Sequence, residues 1–242
     1  MTWARARALA IFTTLLIAGA VAVAVIGREP APLQPRQASQ RPALLLLTSL
    51  PLVFPEQFSL RGAGSPALTA LNTRYRVVPI SAADPADLAK GRLLLMAHPQ
   101  AQTSGNLVAL DTWVRRGGRL LLLADPMLDW PSERPLGDPL RPSPMFADTG
   151  LLGHWGLRLD APDERGEVHR KLAGYDVVTL SPGALSGRCE IGADALVARC
   201  RIGKGRATIV GDADFLDAPR LGDGAERNLD ALLAELAALE KA

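Results

Sequence analysis

The sequence is poor in the residues from which metal sites, aromatic cores and nucleic-acid surfaces are built. Its 242 residues include two cysteines and three well-separated histidines, with no C-x-x-C pair, so no zinc-type ligand pattern is present. Aromatic residues make up 5% of the chain, and the core must therefore be built mainly from Leu, Val and Ala. The net charge is +2 and the arginines are scattered, so nucleic acid is not expected as a partner.

Two common catalytic motifs are also missing. No G-x-S-x-G turn occurs, and Gly203-Lys204-Gly205 lacks the remainder of the G-x-x-x-x-G-K-[ST] phosphate-binding loop. This connector also lies between two predicted strands rather than before a helix. We therefore expect no enzyme activity and no cofactor.

The N-terminus contains a long uncharged segment, Ala8–Gly27. At about 1.5 Å per residue, a helix of this length spans roughly 30 Å, the thickness of a bilayer core. The sequence thus predicts a tail (1–7), a transmembrane anchor (8–27), a Pro-rich linker (28–42) and an α/β domain (43–242). The alternative is a cleaved signal peptide. Both interpretations predict export, and we expect a single-pass protein of the bacterial inner membrane with its C-terminal domain in the periplasm.

The domain is organised around the segment Asn106–Pro126. Its first half has apolar residues at helical spacing, and Gly117-Gly118 supplies the left-handed residue that ends a helix. Leu120–Ala124 is an unbroken apolar run, which is typical of a strand covered on both faces. A helix leading into a buried strand is the unit of an α/β sheet.

Similar apolar runs before this unit predict further parallel strands at Ala43–Thr48 and Leu93–Ala97. We therefore expect a largely parallel, doubly wound sheet. Met127–Pro144 is a long Pro-rich loop at a strand end, where α/β folds place their binding sites. Further predicted elements are a helix over Phe146–Trp155, strands at Asp176–Leu180, Arg188–Ile191, Leu196–Ile202 and Arg206–Gly211, and a closing helix over Asp230–Leu239.

The two cysteines lie on the arms of a predicted C-terminal β-hairpin. Cys189 and Cys200 are equidistant from its turn, and directly opposite residues of a hairpin can approach closely enough for a disulfide. We predict that bond. The alternative is two thiols that remain unpaired.

Three aspartates follow apolar runs and are candidates for a ligand site. Asp125 follows one predicted strand, and Asp212 and Asp214 follow another, so the three carboxylates converge if these strands are neighbours. Such a set could hold Mg²⁺, or each carboxylate could accept hydrogen bonds from loop amides. We predict the second arrangement, with no metal. Ser49 and His98 also follow predicted strands and complete the set of candidate ligand-binding residues.

Three segments resemble a known family. Residues 109–126 are similar to a signature of the auxiliary component of the uncharacterised ABC transporters associated with gliding motility. Residues 203–216 resemble both that family and related domain-of-unknown-function proteins with a glutamine-amidotransferase-like fold, and the segment Leu152–Leu157 is similar to the part of the family that precedes its second half. The resemblance extends over about Ala43–Phe215.

This resemblance implies a membrane-anchored, extracytoplasmic domain that partners an ABC transporter permease or another envelope protein. Amidotransferase-like folds can carry a Cys nucleophile after a central strand, but here those turns carry Ser49, His98 and Asp125. The residues therefore argue against thiol amidotransferase chemistry. Our first hypothesis is a non-catalytic accessory domain of an ABC-type envelope transport system. The alternatives are a hydrolase-like or metal-dependent enzyme at the acidic cluster, and a periplasmic sugar- or peptide-binding module that uses the Met127–Pro144 loop.

Overall fold

The structure is a computed structural model that describes residues 29–54, 56, 64–222 and 224–242. Within residues 32–242, which form one unit, helices cover both faces of a central sheet. The strands are β1 (Ala43–Thr48), β2 (Arg76–Pro79), β3 (Leu93–Ala97), β4 (Arg119–Leu123), β5 (Leu157–Asp160), β6 (Glu167–Leu172), β7 (Tyr175–Leu180), β8 (Ala184–Gly187), β9 (Glu190–Ile191), β10 (Val197–Ile202) and β11 (Gly205–Val210). The helices are α1 (Pro66–Arg74), α2 (Pro85–Leu88), α3 (Ser104–Arg115), α4 (Leu151–His154), α5 (Ala218–Leu221) and α6 (Glu226–Lys241).

The central sheet has seven strands in the order β2-β1-β3-β4-β11-β10-β9. The first five of these are parallel to one another. At one edge β10 pairs antiparallel with β11, and β9 pairs antiparallel with β10. Apolar runs form the inner strands because both faces of the sheet are covered. In β1, for example, Leu44 and Leu46 pack on the side of α1 and α6, whereas Leu45 and Leu47 pack on the side of α2, α3 and α4.

The helix–strand unit predicted at the centre of the domain is present as α3 and β4. The side chain of Thr103 caps the helix by accepting a hydrogen bond from the N–H of Asn106 at 3.3 Å. Gly117 ends it with a φ of 110°, in the left-handed region that favours glycine. A Cβ atom at Gly205 would collide with the main-chain oxygens of Val114 and Gly118, so β11 starts tightly against this unit only because that residue is glycine.

The predicted fold class, a largely parallel sheet with a C-terminal β-hairpin region, is wrong. The β-hairpin is not a separate C-terminal region, because β10 and β11 belong to the central sheet and make it mixed. β11 pairs in parallel with β4, with Val210 opposite Leu123. Periodicity identifies a buried strand but not its neighbour, and this pairing is therefore a property of the tertiary structure.

The predicted fold class also included an N-terminal membrane span, and this part is corrected as well. No helix among the described residues combines the length and the apolar character needed to cross a membrane. The segment Ala8–Gly27, on which the prediction depended, lies outside the described residues. The described residues therefore do not support the single N-terminal membrane span that was predicted as a membrane contact.

The middle of the chain contains two small sheets that were not predicted in full. β5 pairs with β8 and β6 pairs with β7, both antiparallel. The predicted helix over Phe146–Trp155 is limited to α4. Its first half is a loop because the side chain of Asp148 accepts hydrogen bonds from Gly150 N–H (3.0 Å) and Leu152 N–H (3.3 Å), and Gly150 has a φ of 102°.

The segment predicted as a linker contacts the domain from Pro32 onward. The main-chain N–H of Arg36 donates to the carbonyl of Thr73 at 2.9 Å, and its guanidinium pairs with Glu240 at 2.9 Å. The same guanidinium lies 5.5 Å from the ring centre of Tyr75. These contacts join the segment to α1 and α6, so it packs on the domain instead of extending from it.

Candidate functional site

The three aspartates predicted at the strand ends are neighbours, because β4 and β11 are adjacent in the sheet. Asp125 lies two residues after β4, Asp212 lies two residues after β11, and Asp214 begins a short 3-10 helix that follows. All three side chains are completely buried. We call this group the acidic cluster, and it lies at the carboxyl edge of the sheet.

Every carboxylate oxygen of the acidic cluster accepts a hydrogen bond. Asp125 accepts from the main-chain N–H groups of Met127 and Ala213, both at 2.8 Å. Asp212 accepts from those of Phe215 (2.8 Å) and Leu180 (2.9 Å).

Asp214 differs from the other two aspartates in the source of its hydrogen bonds. It accepts one from the N–H of Asp129 at 2.8 Å and one from the guanidinium of Arg220 at 3.2 Å. Five of the six donors in the cluster are therefore main-chain amides of the surrounding loops. The predicted use of these carboxylates as acceptors for loop amides is confirmed.

Burial and mutual repulsion change the protonation of the acidic cluster. Burial raises the pKa of Asp125 to about 6. Burial, with the charge of Asp125 added, raises the pKa of Asp214 to about 7. Burial also raises the pKa of Asp212 well above its ordinary value, and the charges of Asp125 and Asp214 raise it further. The cluster therefore holds protons at mildly acidic pH, as expected for buried carboxylates that repel one another.

His98 and Ser49 lie at the same edge of the sheet, but their side chains serve the local loops. Ser49 Oγ donates to the carbonyl of His98, and His98 Nε2 donates to the carbonyl of Ser143 at 2.9 Å. His98 is completely buried, and burial lowers its pKa to about 4, so the imidazole is neutral near pH 7. Its Nδ1 has no partner among the described residues. We find no hydrogen bond between these two side chains and the acidic cluster in the part of the chain described.

The long loop after β4 is anchored to this edge at several points. Besides the contacts of Ser143 and Asp129, the N–H of Phe146 donates to the carbonyl of Asp125 at 2.6 Å. Arg141 closes the loop internally by donating to the carbonyls of Ser132 and Arg134. A cavity of about 270 Å³ lies within the loop, with Leu128 and Trp130 on its wall. The loop is thus held in one shape above the acidic cluster.

No family model matches the sequence, and no curated protein matches it. Among solved structures, the cytoplasmic protein STM1381 of Salmonella typhimurium LT2 aligns with 81% of this chain and 99% of its own, at 10% identity and a TM-score of 0.51. This likeness shows the fold alone. The inner-membrane and periplasmic location predicted from the sequence depended on a membrane-spanning helix, and none is found among the described residues. That prediction is withdrawn.

Two glycosidases give weaker structural matches. The exo-β-1,4-mannosidase Op5Man5 of Opitutaceae bacterium strain TAV5 has 15% identity and a TM-score of 0.48, and the alignment covers 82% of this chain but 36% of the enzyme. The cold-adapted β-galactosidase of Rahnella sp. R3 has 13% identity and a TM-score of 0.46, with coverages of 83% and 31%. This chain therefore spans about a third of the length of these enzymes.

The predicted disulfide between Cys189 and Cys200 is present, with the two Cα atoms 4.9 Å apart. The register of β9 against β10 pairs Arg199 with Glu190, which places the two cysteines directly opposite each other. This short spacing belongs to a non-hydrogen-bonded pair of an antiparallel ladder. The bond ties the edge strand β9 to the sheet and lies away from the acidic cluster.

Three polar residues that organise the region around the site were not predicted from the sequence. Arg220 pairs with Asp214, Asp217 and Asp129 at 3.2, 3.1 and 3.4 Å. Buried Asn228 bonds both main-chain groups of Val178, its Oδ1 accepting at 2.9 Å and its Nδ2 donating at 2.8 Å. Glu235 is also buried. A signal for the last two was present, because both lie on the buried face of α6 with the leucines that form its apolar stripe.

Proposed function

We propose that this chain is a non-catalytic accessory domain that binds a partner protein through the loop above the acidic cluster. The observation that carries the proposal is that every carboxylate oxygen of the cluster already accepts a hydrogen bond from the protein. A carboxylate that serves as a metal ligand or a general base needs an oxygen that faces its ion or substrate. Here the oxygens accept hydrogen bonds from loop amides and from one guanidinium. The carboxylates therefore serve to hold the loop in its conformation.

The surface of the loop is suited to protein recognition. Leu136, Leu140 and Met145 have 88%, 65% and 59% of their surface exposed, and Phe54 on a neighbouring segment is 80% exposed. Glu56 connects that segment to the loop by accepting a hydrogen bond from Ser132 Oγ at 2.6 Å. Binding residues are often found on loops that a rigid scaffold holds in place, and exposed apolar side chains are a common feature of protein interaction sites. Because the loop is preformed, binding would cost little conformational entropy.

A finer form of the proposal is that the domain is an auxiliary component of an ABC-type transport system. It rests on the resemblance of residues 109–126 and 203–216 to the auxiliary family. In the fold these two segments are adjacent, since they contain β4 and β11. Genes for the components of such a system beside the gene for this chain would favour this form, and their absence from all related gene neighbourhoods would remove it.

Site-specific photo-crosslinking tests the proposed surface. A benzophenone amino acid replaces Leu136 in the full chain, expressed in its native host, and the control carries it at Val108, which is 66% exposed on α3. We expect a discrete adduct of defined mass from position 136 and none of that mass from position 108. Equal adducts from both positions, or none from position 136, would contradict the proposal.

An enzyme remains the second candidate because one observation favours it. Carboxylates with pKa values shifted towards neutrality, such as Asp125 and Asp214, are a recurrent feature of active sites. Titration calorimetry with Mg²⁺ and Ca²⁺, on the parent and on Asp214→Asn, separates the two. Submillimolar binding that the substitution abolishes would favour a metal-dependent enzyme, whereas an equal absence of binding in both proteins agrees with the structural role.

A small-ligand module is the third candidate, and the cavity within the loop is the observation behind it. Its volume of about 270 Å³ is just below the usual range for ligand pockets, roughly 300–1,000 Å³. A sugar or short peptide bound there would contact Trp130 and therefore change its fluorescence. Saturable quenching by such a ligand, lost in Trp130→Leu, would move this candidate ahead of protein binding.

A further inference from the structure

A second cavity lies at the opposite end of the sheet from the acidic cluster. It has a volume of about 260 Å³ and is enclosed by the end of β10, the start of β11 and the last turns of α6. Arg206 begins the part of β11 that lines it, whereas Asp212 follows the other end of that strand. Because a strand rises about 3.3 Å per residue, the two sites are separated by roughly 20 Å.

Arginines from adjacent strands lie side by side on the wall of this cavity. Arg201 of β10 is directly opposite Arg206 of β11, and Arg206 is in register with Arg119 of β4. Like charges directly opposite each other destabilise a sheet. Within the described residues, neither the Arg201 nor the Arg206 side chain donates a hydrogen bond or forms an ion pair. An anion between the two guanidinium groups would relieve this repulsion.

The buried carboxylate on the wall of this cavity, Glu235, is already paired with a different arginine. Glu235 accepts hydrogen bonds from Arg199 Nε (2.9 Å), Arg199 Nη2 (2.5 Å) and Thr208 Oγ1 (3.1 Å). Glu190 also lines the cavity, but it is opposite Arg199 rather than the free pair. Arg119, which is in register with Arg206, donates to the main-chain oxygen of Ala242 at 2.6 Å.

We propose that this cavity binds a small oxyanion, the phosphate or carboxylate group of a low-molecular-weight ligand, between Arg201 and Arg206. A guanidinium presents parallel N–H groups that match both phosphate and carboxylate in a bidentate manner. The ion pair between partly exposed Arg199 and buried Glu235 also lines the cavity and joins β10 to α6. Ala238 and Leu239 supply an apolar wall for a short carbon chain attached to the anion.

Titration calorimetry on the full chain tests the proposal with inorganic phosphate and with succinate, each at constant ionic strength against chloride. The test variant is the double substitution Arg201→Gln and Arg206→Gln. The control is Arg76→Gln with Arg116→Gln, which removes the same charge from two exposed positions elsewhere. We expect saturable binding of at least one anion by the parent, a Kd within twofold of it in the control, and a Kd at least tenfold weaker in the double variant.

The anion that binds more tightly identifies the group that the cavity recognises. The single substitution Arg206→Lys provides a second test in case the double variant does not fold. Lysine keeps the positive charge but lacks the planar guanidinium group, so we expect binding to weaken at least threefold. Chloride binding as strong as that of the oxyanions would overturn the proposal. So would full affinity in the double variant, or the absence of saturable binding by the parent at 50 mM of either anion.

Discussion

The raised pKa of Asp214 predicts how the free energy of unfolding changes with pH. Burial and the charge of Asp125 raise its pKa from the ordinary value of 3.8 to about 7 in the folded protein. Between these two values the folded state holds a proton that the unfolded state has released. The resulting stabilisation is fully present below about pH 4 and is lost as the pH rises through about 7.

The size of the effect follows from the pKa difference. A shift from 3.8 to about 7 corresponds to about 4 kcal/mol in total, and roughly 2–3 kcal/mol of it is lost between pH 5 and pH 8. Asp125 contributes with the same sign because its pKa is also raised. His98 contributes with the opposite sign, because its pKa is lowered to about 4 and its stabilisation is lost as the pH falls from 6.5.

Substituting Asp214→Asn isolates this contribution, because asparagine keeps the shape and one acceptor but does not titrate. Urea denaturation at pH 5, 6, 7 and 8 measures the free energy of unfolding of both proteins. We expect the parent to lose roughly 2–3 kcal/mol more than the variant over this range. The same comparison with Asp163→Asn, at an exposed aspartate, should show parallel curves. Parallel curves for Asp214→Asn would refute the reasoning, because Asp214 would then be ionised throughout.

Two further substitutions test the interactions that hold the framework of the site. Replacing Cys189 and Cys200 with serine should lower the free energy of unfolding by roughly 2–3 kcal/mol, the chain-entropy value for a loop this short, measured against the oxidised parent in urea. Unchanged stability would mean that the bond does not restrict the unfolded chain. Asn228→Ala leaves the buried main-chain groups of Val178 without their partner and should cost roughly 2–3 kcal/mol, whereas exposed Asn72→Ala should cost less than about 0.5 kcal/mol. Equal losses in the two asparagine variants would contradict the role of Asn228.

Many local elements were predictable because their signals are local. The strand Ala43–Thr48 was predicted with its observed bounds, and the end of α3 followed from Gly117. The elements that were missed carry competing signals. Buried and exposed residues alternate along β6, as they do in a strand. Its exposed residues Glu167, His169 and Lys171 are polar or charged, so the sequence of this segment is similar to that of a solvent-exposed loop. The Phe146 segment has helical spacing, but Asp148 and Gly150 hold it as a loop.

The residues of the candidate site could be predicted from the sequence, but their burial, hydrogen-bond partners and pKa values could not. The position of Asp125, Asp212 and Asp214 after apolar runs was sufficient to select them. Their complete burial, their main-chain donors and their raised pKa values depend on loops that arrive from elsewhere in the chain, such as the amides of Asp129 and Leu180. No local pattern encodes those contacts.

The sequence alone determined where the apolar runs lie, where α3 ends and which cysteines oppose each other, because these depend on residue type and on spacing within a few turns or one hairpin. Only the tertiary structure decided that β11 lies beside β4. That single pairing brings the three carboxylates together at one edge of the sheet. It also aligns Arg206 with Arg119 at the other edge. The physical reason is that periodicity specifies which side of a strand is buried, whereas its neighbour is chosen by the packing of the whole sheet.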